Sequence, residues 1–155
     1  MTSNQKSSFY LDLIKKSHEA FREYLVHLPE DILDWKVTDL MYSSEWIIKH
    51  IIHDQIWIVN VILNNDKESY HFEDKSDGLI LEELIEEYDK MVIMAEDNLS
   101  KLDDSQLEEM RNYKDYTISV EDWLYEYIFH LNQHSGELGF ILTAWKRKNR
   151  SLSED

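Results

Sequence analysis

His130 and His134 stand four residues apart in the stretch His130-Leu-Asn-Gln-His134. On a helix, four residues turn the chain by about 400°, so both imidazoles project from one face a single turn apart. That spacing lets one metal ion accept a nitrogen from each. Glu137, seven residues after His130, shares the face. A third imidazole, His50, lies inside an apolar run, Trp46-Ile-Ile-Lys-His50-Ile-Ile-His53-Asp54. If the two segments are neighbouring helices, His50 completes a three-nitrogen face. Three imidazoles leave a coordination position open for water or substrate, the arrangement of a catalytic site. They also leave the ion's charge uncompensated, which favours ionisation of a bound water or thiol.

The spacing leaves alternatives open around this triad. His53 competes with His50, one turn later and about 60° away around the helix. Asp54, four residues after His50, can orient a ligand or approach the metal as an oxygen donor, or simply pair with a nearby Lys. Glu137 can serve as a general base, accept a ligand's second N–H, or sit as a polar residue at the rim. His18, His27 and His71 have no partners at ligand spacing and are expected at the surface.

Four helical segments must position these groups, giving an all-α four-helix bundle. The first is expected over 8–27, where Phe9, Leu13, Ala20 and Tyr24 recur at helical intervals, and Pro29 ends it. The second is expected over 43–64, with Ser43 or Ser44 as its cap and Glu45 in its first turn. Its apolar residues cover much of its circumference, so it should be central. A polar connection over 65–78 follows, long enough that a simple up-down-up-down order is not required. The third helix is expected over 79–102, then an acidic connection with a short helical turn around 105–110. The fourth should begin near Ser119, which with Asp122 resembles a capping box, and run to about Trp145. The remaining residues form a basic and then frayed tail. Trp46, Trp57 and Trp123 fall on apolar faces and are expected in the core. Gly136 and Gly139, each costing about 1 kcal/mol within a helix, suggest close approach of a neighbouring helix or room beside the metal.

Composition restricts what the bundle can do. The 155 residues suit one domain with a sizeable core, 43% are hydrophobic, and only 3 Gly and 1 Pro are present, which disfavours tight-turned strands. Cysteine is absent, so a metal must use nitrogen and oxygen donors. The net charge of -16 opposes phosphate binding and argues against nucleic acid as a partner. The basic cluster Lys146-Arg147-Lys148 and Arg150 suits the negative end of the preceding helix. Neither a secretory signal nor a membrane-length apolar run is present, and a soluble cytoplasmic protein is expected.

Two motifs carry a family resemblance across nearly the whole chain. Tyr42-Ser-Ser-Glu45-Trp-Ile-Ile-Lys-His50, followed much later by His130-Leu-Asn-Gln-His134-Ser-Gly136-Glu137, resembles the DinB/YfiT-like family of metal-dependent enzymes. In that family a Trp-Ser-rich helix start leads to a His in the second helix, and a His-x-x-x-His-Arg-Gly-Gln motif lies near the C-terminus. His50, His130, His134 and Gly136 match; Tyr42 stands where Trp is common, and Ser135 and Glu137 where Arg and Gln are common. The resemblance favours His50 over His53, counted eight residues from Tyr42. It implies a divalent metal, Zn or Ni foremost, a small-molecule substrate, and a hydrolase-like or thiol S-transferase-like activity, with homodimerisation through bundle faces. Without a cysteine in the chain, the thiol would be a low-molecular-weight cofactor. The Lys-, Glu-, Ile- and Asn-rich usage suits a low-GC Gram-positive bacterium, for which bacillithiol is a candidate. The alternative is a non-catalytic stress-response or partner-binding bundle whose metal is structural or absent.

Overall fold

In a computed structural model, residues 5–64, 78–113 and 115–153 are described, the side chains of 151–153 excepted. Four helices dominate: α1 (Gln5–Val26), α2 (Ser44–Ile62), α3 (Leu81–Leu99) and α4 (Val120–Ser153). Single 3₁₀ turns lie at Glu30–Ile32 and Asp104–Gln106, and β1 (Met110–Tyr113) pairs antiparallel with β2 (Tyr116–Ser119). His71 and most of the polar connection after α2 lie outside the described residues.

Cross-helix bonds fix the directions. Tyr10 meets Glu121, and Ser17 meets Asn132, so α1 and α4 run parallel. His18 meets Glu96 and Arg22 meets Asp89, so α3 opposes α1. On α2, Gln55 meets the Tyr127 carbonyl and His50 meets His130, so α2 opposes α4. The starts of α2 and α3 both lie near the end of α1, where Glu45 N–H donates to the Leu33 carbonyl and Leu81 N–H to Glu30. The order is therefore up-down-down-up, and the connection after α2 must return the chain along about 28 Å of helix. That is why a long segment stands between these two helices.

In this arrangement α2 lies against both α3 and α4, and α1 against both as well. Its Ile47, Ile48, Ile51, Ile52, Val59 and Ile62 are all buried, which makes it the central helix the sequence implies. Ser43 caps it by accepting from the Trp46 N–H. Ser119 and Asp122 bond reciprocally at the start of α4, the capping box read from the sequence.

Three expectations are corrected. The chain does contain a β-hairpin, despite its few glycines. Tyr113, Tyr116, Thr117 and Ile118 are strand-favouring residues, and Arg111 Nε anchors the hairpin by donating to the Ile62 carbonyl at the end of α2. The helical turn expected over 105–110 is confined to Asp104–Gln106. The fourth helix continues past Trp145 to Ser153, because Lys and Arg are good helix formers and Arg150 in the last turn complements the dipole.

Candidate metal centre

The antiparallel seam of α2 and α4 brings His50, His130 and His134 together, with one ligand-capable nitrogen of each within 4.8 Å of the others. His130 Nε2 lies 3.1 Å from His50 Nε2 and 3.2 Å from His134 Nε2. Nitrogens bound to one ion at about 2.0–2.1 Å would stand about 2.9 Å apart at right angles and about 3.4 Å apart at tetrahedral angles. Both separations from His130 fall between these limits, and the third pair lies within 4.8 Å, so the cluster could hold a single divalent ion.

Neighbouring side chains fix two of the rings. His134 Nδ1 donates to Glu137 Oε2 at 2.7 Å. A carboxylate only accepts, so this bond places the His134 proton on Nδ1 and leaves the Nε2 lone pair facing the cluster. His50 is held by stacking: Tyr42 lies on Trp46 with ring centroids 3.6 Å apart, and Trp46 lies on His50 at 4.6 Å. Asp54 stands beside two of the rings, its Oδ2 3.5 Å from His50 Nε2 and 3.9 Å from His130 Nε2. Among the described residues, the buried His130 Nδ1 has no hydrogen-bond partner.

Burial favours the neutral form of two of the three rings. Burial pushes His130 down to about 4, helped by the neighbouring charges of His134 and His50. Burial also lowers His50, with His134 and His53 adding repulsion and Asp54 opposing it. Neutral imidazoles are the form a metal requires.

His53 does not join the cluster. It is 69% exposed and turns its Nδ1 towards Asp54 Oδ1 at 3.1 Å. Two expectations are also corrected here. Trp46 is partly exposed and belongs to the site rather than the core, whereas Trp123 is buried and Trp57 packs edge-on against it. The spacing Tyr42-x₃-Trp46-x₃-His50 was the signal, since the last two are one turn apart on one face. His18, expected at the surface, is 2% exposed, with Nδ1 2.9 Å from Glu96 Oε1 and Nε2 2.7 Å from the Tyr127 hydroxyl. It continues the Ile14, Phe21, Leu25 stripe of α1 at helical spacing, and those two partners satisfy it there. His27 is exposed, as expected.

The glycines divide. A Cβ at Gly139 would meet the Tyr24 ring of α1 at 2.9 Å, so this position records a close approach, while a Cβ at Gly136 would meet nothing within 4 Å. No helix among the described residues is long and apolar enough to cross a membrane.

The family model of the DinB superfamily matches residues 13–138. Among solved structures, a DinB-like protein of Bacillus cereus superposes with a TM-score of 0.71 at 18% identity, over 86% of this chain and 89% of that one. A DinB-like protein of Bacillus subtilis gives a TM-score of 0.68 at 17% identity, over 88% and 92%. A conserved protein of Enterococcus faecalis gives 0.66 at 17% identity, over 93% and 97%. No curated protein sequence matches this chain.

Proposed function

The chain belongs to the DinB superfamily, and from that premise we propose that it is a metal-dependent enzyme acting on a small molecule through His50, His130 and His134. The observation that carries this reading is the convergence of three imidazole nitrogens, with a carboxylate oxygen within 4 Å of two of them. The reaction class is hydrolase-like or thiol S-transferase-like, with Zn or Ni as the ion and a low-molecular-weight thiol, bacillithiol among the candidates, as the co-substrate in the second case.

A bound divalent ion would supply a Lewis acid that acidifies a water or thiol presented to it. The chain's own residues do the rest. Glu137 is a positioning residue: its Oε2 fixes the His134 tautomer and ring angle. Trp46 fixes the His50 ring by stacking. Asp54 Oδ2 stands near the ε nitrogens of His50 and His130, where it accepts the proton that an attacking water or thiol must lose. The buried Ile47 and Ile51 flanking His50 on α2 limit water beside the cluster and strengthen these electrostatic effects.

Asp54 also supports a second reading. If its carboxylate filled the remaining coordination position, the site would be closed and structural, as in a non-catalytic, partner-binding bundle. Asp54→Asn separates the two. The enzyme reading expects the variant to load Zn or Ni as the parent does and to lose hydrolysis of activated esters or thiol addition to an electrophile. Loss of metal together with an inactive parent would favour the structural reading.

A further inference from the structure

One helical turn from the histidines, a cleft of about 200 Å³ opens between the segment before α2 and the outer part of α4. Its floor is Ile47 and Ile141, both fully packed core side chains. Its rim is Leu40, Met41 and Tyr42, and Glu137 closes the end nearest His134. The Leu40 side chain is 97% exposed, an unfavourable setting for an aliphatic group. The floor is rigid and apolar, the rim is mostly apolar and accessible, and the one carboxylate among the lining groups is already bonded to a histidine. Ile47 precedes His50 by three residues on α2, and Glu137 follows His134 by three on α4. The cleft therefore begins about 4.5 Å along both helix axes from the cluster.

We propose that this cleft binds the apolar tail of the substrate, so that the enzyme acts on small molecules joining a metal-binding head to a short aliphatic or thioether chain. The inference rests on the metal-site reading above and adds the substrate class. The volume holds about six or seven groups of water or methylene size, too few for an extended or polycyclic ligand. Charge agrees with this choice. With a divalent ion bound, Asp54 and Glu137 balance its charge, so neither a strongly cationic nor a polyanionic tail gains from the site. Four of the six lining side chains are apolar, so a polar tail would lose hydration on entry with few partners to replace it.

The test uses the full chain loaded with zinc and a series of straight-chain alkyl hydroxamates from two to eight carbons, titrated by calorimetry. Zinc content is measured first. Affinity is expected to rise about fourfold per methylene and to level off near six carbons. Met41→Trp, which adds bulk at the rim and outside the core, is expected to flatten that slope while acetohydroxamate binds as to the parent. Equal affinity along the series in a zinc-loaded protein overturns the cleft assignment and leaves the metal site standing. So does a slope that Met41→Trp leaves unchanged. A protein that takes up no zinc overturns the metal reading, and this inference with it.

Discussion

Removal of the Glu137 carboxylate isolates the contribution of a group that touches a histidine rather than the ion. Its Oε2 accepts the His134 Nδ1–H at 2.7 Å, within the length range of a charge-assisted bond. Such bonds contribute about 1.5–3 kcal/mol when well shielded. The Glu137 side chain is 35% exposed, so solvent screening places the value at the lower end, about 1.5–2 kcal/mol. Glu137→Ala should therefore weaken metal binding by about 10- to 30-fold. Glu137→Gln keeps an acceptor for the N–H but loses the charge, and should weaken binding only a few-fold. The assay is a competition titration of zinc against a chromophoric chelator, with circular dichroism confirming that both variants fold. Thermal stability without metal should change little, since a partly exposed side chain is replaced. Unchanged zinc affinity in Glu137→Ala would refute the claim that this carboxylate positions His134. A loss as large as that of His134→Ala would refute it too, because it would place the carboxylate on the ion itself.

Other consequences follow from the packing. Tyr127→Phe leaves the buried His18 Nε2 without its partner and should lower stability by about 1–3 kcal/mol in urea unfolding; an unchanged midpoint would contradict that network. Gly136→Ala, whose Cβ meets open space, should stabilise the protein by about 0.5–1 kcal/mol, whereas Gly139→Ala must displace the Tyr24 ring and should gain less or lose. Equal gains at both sites would show that Tyr24 does not restrict Gly139. Asp104 accepts the Ser7 and Lys6 N–H groups at the start of α1, and these bonds hold its carboxyl below the ordinary value. Glu121 is lowered by its bonds from Lys6 and Tyr10. A depressed folded-state value means stability that is present above the unfolded carboxylate range and is lost as pH falls through the folded one. Melting temperature should thus drop below about pH 4, and Asp104→Asn should lower it at neutral pH while flattening that acid limb.

The triad was legible because helical periodicity and ligand spacing are both local. His130 and His134 share a face by their four-residue separation, and the motif resemblance selected His50 before the seam of α2 and α4 brought the three rings together. The caps at Ser43 and Ser119 were legible for the same reason. What escaped depends on contacts distant in sequence. The hairpin consists of two four-residue strands, and its anchor is a carbonyl on α2. His18 sits at a core position of α1, but only Glu96 and Tyr127, 78 and 109 residues away, make its burial tolerable. The apolar type of Trp46 suggests the core, although it stacks between Tyr42 and His50 at the edge of the site. Asp54 and Glu137 are candidates by spacing, and the geometry separates them: Asp54 lies near the ε nitrogens of His50 and His130, while Glu137 holds the His134 ring through Nδ1.

The central claim is that His50, His130 and His134 hold one divalent ion, and elemental analysis of the untagged protein beside a His130→Ala/His134→Ala variant tests it most directly. About one ion per chain in the parent, absent from a variant that retains the parent's helical circular dichroism, is the result the three converging nitrogens require. A folded parent that stays empty after incubation with excess zinc or nickel would contradict the account.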